Sequence, residues 1–254
     1  MNKIRIVSTS WDDGHPCDLR LAAALAKRSL SASFYVPLAN KDGRSVLHVT
    51  ALRDILNQGF EIGAHTMSHR VLSGLPDEEL AKEVRGSKQM LEEQLGAEVR
   101  MFCYPRGRYD RRVVNCVQQS GFNGARTTRM LAHALKVNRF EMPTTLQAYP
   151  HPPLSYLKNL GKRRDLAGIG RYLKDYLPCR DWVELGKKLF REVLDQGGIW
   201  HLYGHSWELE ELGLWADLEE MLDYVANQPG VIYASNSQVL DHVREYNVSV
   251  PEAA

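Results

Sequence analysis

The sequence predicts a single α/β domain, a closed or partly closed βα barrel of about eight parallel strands. Short apolar or β-branched runs alternate with helical patterns, and this unit repeats roughly every 25 to 30 residues. The chain has 254 residues, of which 44% are hydrophobic, enough for a substantial core. No linker interrupts the alternation, so we expect one domain over residues 1–254. At this size a barrel is favoured over an open doubly wound sheet.

The first half of the chain alternates strand and helix. Strands are indicated by alternating or β-branched apolar residues, and helices by apolar residues three or four positions apart. Asp18 is the expected N-cap of the first helix, and Pro37, Gly59 and Gly96 stop the elements before them. The predicted elements are a strand from residue 4 to the acidic pair at 12–13, helix 18–28, strand 32–36, helix 49–58, strand 60–64, helix 77–95, strand 99–104, helix 110–119 and strand 123–127.

The pattern blurs in the second half and then returns. Residues 131–180 carry many of the prolines and the basic run Lys162-Arg163-Arg164. We expect one weak strand near 140–146 and then an irregular or helical insertion whose charges belong to a solvated surface. Regular elements follow as helix 182–194, strand 199–204, helix 215–226, strand 231–235 and helix 238–246.

Composition limits the classes of partner and compartment. The 32 Lys and Arg nearly balance the 31 Asp and Glu, so net charge gives no argument for nucleic acid or an anionic membrane. The four cysteines are widely spaced without a C-x-x-C pair, which argues against a thiolate zinc site and a disulfide framework. The first strand begins at once, and no apolar run approaches membrane-spanning length. We therefore expect a cytoplasmic protein with no membrane span.

Carboxylates and histidines follow several predicted strands, where the reactive groups of a βα barrel lie. Asp12 and Asp13 end the first strand, and both can meet one ligand only if the chain bends, as Gly14 allows. His65 and His69 follow the third strand four residues apart, so on one helical turn they face the same way. Each motif alone is more often an ordinary surface feature. Together they favour a three-ligand metal site with a position open for water.

These two motifs resemble those of the polysaccharide deacetylases, the NodB-homology or carbohydrate esterase four family. Ser10-Trp11-Asp12-Asp13-Gly14 resembles the family's T-F-D-D-G, and His65-Thr66-Met67-Ser68-His69 matches its H-[ST]-x-x-H in the expected order. The order of strands and helices is compatible from about residue 7 to 241. The resemblance implies a distorted (β/α) barrel of about seven to eight strands, with Asp12 as general base. It also implies a divalent metal ion, expected to be zinc, on Asp13, His65 and His69.

The resemblance further implies metal-assisted hydrolysis of an N-acetyl group on an amino sugar or saccharide. His205, at the end of a late strand, fits the acid that protonates the leaving amine. His201 shares its strand face but lies roughly 13 Å lower at about 3.3 Å per residue, so we expect an interior, hydrogen-bonded histidine. The expected partner is a small-molecule or oligosaccharide substrate bearing an N-acetyl group, a precursor of a cell-surface polysaccharide.

The third motif departs from the family pattern. Cys103 stands where the family has an arginine, and Arg106 where it has a tyrosine. We expect the Arg106 amide to face the oxyanion and Arg126, at the end of its strand, to orient the base. We also expect Tyr104 and Trp207 to contact substrate.

Two alternatives stay open at this stage. One is a related C–N hydrolase of the same superfamily, a deformylase or cyclic amidase. The other is a carbohydrate-binding protein that has lost turnover. Because binding needs the metal ligands but not the base, the presence of Asp12 argues against the second alternative.

Overall fold

The computed structural model describes residues 3–249 and the side chains of residues 3–246. This part of the chain contains eight strands: β1 (Arg5–Asp12), β2 (Ala32–Val36), β3 (Glu61–Ala64), β4 (Met101–Cys103), β5 (Gly124–Arg126), β6 (Leu146–Gln147), β7 (Gly198–Gly204) and β8 (Ile232–Tyr233). Its α-helices are α1 (Asp18–Ala26), α2 (Val49–Asn57), α3 (Asp77–Ala81), α4 (Ser87–Leu95), α5 (Arg111–Gln119), α6 (Pro153–Lys162), α7 (Leu166–Arg171), α8 (Trp182–Gln196), α9 (Ser206–Glu211), α10 (Trp215–Val225) and α11 (Asn236–Ser249).

All the strands pair in parallel in one curled sheet. The order is β5-β4-β3-β2-β1-β7-β6, and β8 pairs with the lower part of β1. A short segment then joins the two outer strands. Met142 forms a parallel bridge with Arg126 beside β5, and Leu146 and Gln147 pair with β7. This segment therefore contacts strands at both edges of the sheet. The predicted distorted (β/α) barrel in a single domain is confirmed.

Strand side chains alternate between two environments because successive residues point to opposite faces. On β1, Val7 and Trp11 pack outward into the large apolar core beneath the helices. The other face points into the barrel, where Ile6 belongs to a smaller cluster. That interior is unusually polar: it includes Ser8, Asp12, Ser33, Tyr35, Cys103, Arg126 and His201, all buried. The inward faces thus form a column of polar groups that leads up to the carboxyl ends of the strands.

The N-terminus of α11 satisfies the polar groups at the lower end of this column. Asn236 accepts a hydrogen bond from Ser8 Oγ (3.0 Å) and donates one to Tyr35 Oη (2.9 Å). Its backbone N–H donates to Ser33 Oγ, whose hydroxyl donates to Glu61 (2.5 Å). These bonds replace those that water would make to the same groups. They fix the interior on which the site stands.

The predicted elements are present with shifts of a few residues, and four features differ. Asp18 is not an N-cap: Cys17 holds that position, and Asp18 is the fully buried first residue of α1. Burial raises the pKa of Asp18 to about 8. The helix predicted over 77–95 contains a π-helical turn at Lys82–Gly86. Helix α9 is additional, and the strand expected near 140–146 is present only as the two-residue β6 at Leu146–Gln147. The insertion, predicted to be irregular or helical, contains α6, α7 and a π-helical turn at Tyr172–Tyr176.

Two compositional expectations can be compared with the structure. All four cysteines are free thiols. No helix in the described part of the chain combines the length and the apolarity that crossing a bilayer requires.

The close approach of β2, β3 and β4 makes Gly63 a sensitive position. A Cβ atom there would lie 2.4 Å from the Tyr35 ring and 3.1 Å from the Met101 carbonyl oxygen. We expect Gly63→Ala to lower the free energy of unfolding by about 1–3 kcal/mol, measured by urea denaturation, because the extra methyl overpacks the interior. Gly161→Ala is the matched control, since nothing lies within 4 Å of its added Cβ. The control should be neutral or stabilising by about 0.4–1 kcal/mol, and equal losses in both variants would contradict this packing argument.

Candidate active site

An open cleft of about 610 Å³ lies over the carboxyl ends of β1, β3 and β7. Its lining includes Asp12, Asp13, His65, His69 and His205. These residues come from three parts of the chain that are far apart in sequence. The structure therefore brings together the acidic pair, the two histidines of the second motif and the late histidine, as the strand-end argument predicts.

Asp13, His65 and His69 point their ligand atoms at one another. Asp13 Oδ1 lies 3.1 Å from His69 Nε2 and 3.7 Å from His65 Nε2. One ligand atom from each of the three residues lies within 4.8 Å of the ligand atoms of the other two. Asp13 Oδ1 is buried yet makes no hydrogen bond. A carboxylate oxygen and two imidazole nitrogens that converge without bonding to each other are a donor set that fits a divalent cation.

A neighbour fixes each of these three side chains from behind. His65 Nδ1 donates to the Cys103 carbonyl oxygen (2.8 Å), and His69 Nδ1 donates to Asp42 Oδ2 (3.1 Å). Both histidines therefore present Nε2 lone pairs to the site. Trp207 Nε1 donates to Asp13 Oδ2 (2.9 Å), which leaves Oδ1 facing the histidines.

The pKa shifts of His65 and Asp13 give both residues the protonation states that metal ligands need. Burial lowers the pKa of His65 far below its usual value, so the ring is neutral. Burial by itself would raise the pKa of Asp13, but its electrostatic interactions with His205, His65 and His69 and the Trp207 hydrogen bond lower it. Asp13 is thus an anion beside a neutral His65, as metal ligation requires.

The chain reaches this geometry through left-handed backbone rather than a helical turn. Asp13 has φ 81°, Thr66 φ 71° and His69 φ 56°. Residues other than glycine rarely adopt such φ values, and the residues that do so are concentrated at functional sites. The expectation that one helical turn aligns His65 with His69 was wrong: the positive φ of Thr66 and His69 turns both rings toward Asp13.

Glu83 holds the loop that carries the two histidines. It lies in the π-helical turn at Lys82–Gly86 and is almost fully buried. Its carboxylate accepts hydrogen bonds from Ser68 Oγ (2.5 Å) and the Ser68 N–H (3.0 Å). The Glu83 carbonyl oxygen accepts from the Met67 N–H (3.1 Å). The irregular turn, a feature often found at functional sites, places this anchor under the loop.

Asp12 lies deeper than Asp13 and is buried on the interior face of β1. Cys103 Sγ donates to its Oδ2 (3.3 Å), whereas its Oδ1 makes no hydrogen bond. Burial raises the pKa of Asp12 to about 6, and the positive charges of His205 and Arg126 oppose that rise. Burial also keeps the pKa of the Cys103 thiol high, so the thiol remains a donor.

Arg126 enters the barrel near Asp12 but does not pair with it directly. Its side chain is buried, and Nε and Nη2 make no hydrogen bond within the described residues. Burial lowers the pKa of Arg126 to about 10, while the charge of Asp12 acts in the opposite direction. The atom that contacts the Asp12 carboxylate is instead the sulfur of Cys103.

His205 faces Asp12 and Asp13 from the end of β7. Its Nδ1 donates to Glu208 Oε2 (2.7 Å), which leaves Nε2 toward the cleft. Burial alone would lower the pKa of His205, but the hydrogen bond and charge of Glu208 outweigh it and raise the pKa to about 9. Glu208 also accepts from Gln147 Nε2 (3.0 Å), and Gln147 Oε1 accepts from Tyr203 (2.6 Å) and His151 (2.7 Å).

The structure places His201 below the site, as predicted from strand depth. It pairs in register with Ser8, whereas Gly204 pairs with Trp11 beside the acidic residues. His201 is buried, and its Nδ1 lies 2.9 Å from Thr144 Oγ1. Burial holds its pKa well below the usual value, so the ring is neutral.

The three remaining predicted contacts have different outcomes. Arg106 and Trp207 line the cleft, and Arg106 donates to Asp42 (3.0 Å). Tyr104 does not line it: its ring stacks on Tyr109 and its hydroxyl donates to the Phe140 carbonyl (3.0 Å). A direct substrate contact by the Tyr104 side chain is therefore not supported.

Several positioning residues were missed in the sequence. Glu208 follows His205 by three residues, a spacing that on one helical turn brings the two side chains together. That signal was present. Asp42 and Glu83 lie in distant segments with no local pattern that connects them to the histidines.

Comparison with known proteins identifies the same family. A polysaccharide deacetylase family model matches residues 2–125. YxkH of Bacillus subtilis strain 168, assigned as a polysaccharide deacetylase, is 22% identical over 125 residues, which are 49% of this chain and 45% of that protein. The match thus spans less than half the length of that relative.

Three solved structures share the fold along nearly the whole chain. A structure from Mycobacterium smegmatis assigned as a polysaccharide deacetylase is 19% identical, with a TM-score of 0.69 and coverage of 97% of this chain and 93% of that chain. Peptidoglycan deacetylase PdaC from Bacillus subtilis is 17% identical, with a TM-score of 0.58 and coverage of 98% of this chain and 95% of that chain. A family 4 carbohydrate esterase from Streptomyces lividans, in complex with acetate, is 12% identical, with a TM-score of 0.56 and coverage of 92% of this chain and 93% of that chain.

At these identities the structures show a common fold, while the family match lies in the half of the chain that carries both motifs. Residues 2–125, which carry both motifs, match the polysaccharide deacetylase family model, and the resemblance seen in the two motifs is confirmed.

Proposed function

We propose that this protein is a divalent-metal-dependent hydrolase that removes the N-acetyl group from an amino sugar or saccharide. The observation that carries the proposal is the meeting of three metal-ligand side chains, a buried carboxylate and a protonated histidine in one cleft. The Streptomyces lividans esterase, which shares the fold, has a structure in complex with acetate. This agrees with the proposal because acetate is a product of the proposed reaction. A role in cell-surface polysaccharide biosynthesis and a cytoplasmic location are part of the same proposal.

Asp13, His65 and His69 would hold the ion, and zinc is expected because its usual ligands are imidazole nitrogen and carboxylate oxygen. When bound, such an ion polarises the amide carbonyl and makes water more acidic. Trp207 and Asp42 keep the ligand atoms of Asp13 and His69 directed at it. Together with the His65–Cys103 hydrogen bond, these contacts preorganise the three ligands.

Asp12 acts as the base. With a pKa near 6 it is mainly ionised at neutral pH, and its Oδ1 is free to accept the proton of the attacking water. The Cys103 thiol holds Oδ2, and the buried charge of Arg126 favours the anion. The oxygen of the amide becomes negatively charged as water adds, and the Arg106 amide is the proposed donor to it.

His205 acts as the acid. Glu208 holds its Nδ1 and keeps the ring protonated at neutral pH, so Nε2–H can be given to the departing amine as the C–N bond breaks. The products are acetate and a free amino sugar. The base and acid are therefore both in the required state before substrate arrives.

The ligand assignment predicts metal loss in a defined variant. We expect His69→Ala to bind zinc at least roughly tenfold more weakly, measured by metal analysis after dialysis and by competition with a chelator. His151→Ala is the matched control, because His151 lines the same cleft but contacts Gln147 rather than the ligand group. Full occupancy in His69→Ala, or equal loss in both variants, would show that the metal lies elsewhere.

The reaction is tested by acetate release from a panel of N-acetyl amino sugars and oligosaccharides. We expect His205→Ala to keep its metal and lose about 10²- to 10⁴-fold in kcat. His201→Ala should retain more activity and lose about 1–3 kcal/mol of stability, because it removes a buried hydrogen-bonding ring. Formate release from N-formyl substrates without acetate release would favour the deformylase alternative, and the opposite pattern for the two histidines would contradict their assignment.

The contact with Glu208 predicts a shift in pH dependence. The acid works only while His205 is protonated, so activity falls as pH rises through its pKa. Glu208→Gln removes the charge that raises this pKa, and we expect the alkaline limb of kcat/KM to move roughly one to two pH units lower. Glu210→Gln is the matched control, because Glu210 lies on the same helix but accepts a hydrogen bond from Trp215 Nε1. It should leave the alkaline limb of kcat/KM unchanged. An unmoved limb in Glu208→Gln would exclude His205 as the group that titrates.

A further inference from the structure

The helical insertion exposes an unusual number of leucines. Seven large apolar side chains are exposed in the described part of the chain, and four of them lie within residues 154–177. Leu166 is 79% exposed, Leu154 57%, Leu173 48% and Leu177 42%. Isolated exposed leucines are ordinary, whereas a group of them marks an interaction surface.

These leucines follow helical stripes rather than scattered positions. Leu173 and Leu177 follow Leu166 by seven and eleven residues. This spacing places the three leucines on one side of α7 and of the turn after it. Tyr172 and Tyr176 on the other side are buried. On α6, Leu154 shares its side with Lys158 and Lys162, at four and eight residues.

Charge is concentrated in the same segment. Residues 153–180 contain seven Lys or Arg and two Asp, a net charge of +5, whereas the whole chain carries +1, so the rest carries −4. Arg163 pairs with Asp165 and Arg180 with Glu184. The other exposed lysines and arginines near the leucines include four that form no ion pair within the described residues, Lys158, Lys162, Arg164 and Lys174. The balanced composition of the chain conceals this local asymmetry.

We propose that these residues, named here the α6–α7 surface, dock on a membrane that contains anionic lipid. The α6–α7 surface consists of Leu154, Leu166, Leu173, Leu177, Lys158, Lys162, Arg164 and Lys174. Leucines that enter the interface between headgroups and acyl chains, beside cations that contact the headgroups, are the pattern of an interfacial helix. A nucleic acid or an acidic protein would use the cations but leave the leucines in water. A second copy would bring one +5 segment against another, which opposes association.

The position of α6 connects this surface with the cleft. Asn159 lines the cleft, accepts from the Met130 N–H (3.0 Å) and donates to the Thr128 carbonyl (2.8 Å). Docking would therefore bring the cleft to saccharides carried at a membrane surface. That consequence rests on the proposed function, whereas the docking itself does not.

Vesicle binding tests the proposal with the full chain. We expect co-sedimentation with vesicles of equal parts phosphatidylcholine and phosphatidylglycerol, weaker binding to phosphatidylcholine alone, and a decrease with salt. Lys162→Gln with Arg164→Gln should weaken binding roughly fivefold per charge. Leu166→Gln with Leu173→Gln should weaken it roughly tenfold or more. Leu19→Gln with Met90→Gln, which alters exposed apolar residues elsewhere, should bind like the parent.

Several outcomes would overturn the proposal. These are no vesicle binding, binding that the leucine pair does not affect, or equal loss in the Leu19/Met90 control. Tighter binding to a DNA duplex, or a dimer that the leucine pair abolishes, would assign the surface to another partner. His205→Ala should bind vesicles like the parent, so a failure of docking is separable from a failure of the proposed reaction. Melting temperatures confirm that each variant is folded.

Discussion

The site depends on one constraint, that two adjacent carboxylates must reach the same cleft from a strand whose side chains alternate. Asp12 obeys the alternation and points into the barrel. Asp13 escapes it by adopting φ 81°, and Gly14 continues the turn at φ 60°. A Cβ on Gly14 would lie 2.8 Å from Val36 Cγ1, so both the backbone angle and the space favour glycine. Trp207 then holds Asp13 in its turned position through a hydrogen bond to Oδ2.

The polar interior gives the two carboxylates different properties. Asp12 is enclosed and its pKa is raised, whereas Asp13 faces three histidines and its pKa is lowered. Neighbouring groups with opposite shifts are suited to different tasks, and the tasks proposed here are accepting a proton for Asp12 and binding a cation for Asp13. The arrangement leaves polar atoms of Asp12, Asp13 and Arg126 without hydrogen bonds. Such unsatisfied buried groups destabilise a fold and are tolerated mainly where function requires them.

Much of the fold and the centre of the site could be predicted because both rest on local patterns. Strand alternation separates inward His201 and His205 from outward Trp200 and Leu202, and strand depth then separates the two histidines. The left-handed residues Thr66 and His69 could not be predicted, since neither is glycine and the loop around them is held by distant Glu83. The π-helical turn that presents Glu83 also lacks a sequence signal. Long-range contacts of this kind have no periodicity that a single sequence reveals.

The altered third motif is explained by the register of two strands. Cys103 on β4 and Arg126 on β5 are direct partners in the sheet. An arginine absent from one strand is therefore present at the same height on its neighbour, about 4.8 Å away. The Cys103 thiol on β4 contacts Asp12 directly. The Arg126 cation acts on Asp12 through its charge, since no Arg126–Asp12 hydrogen bond is present among the described residues. In the proposed mechanism, Asp12 therefore receives a favourable charge from Arg126 and a hydrogen bond from Cys103.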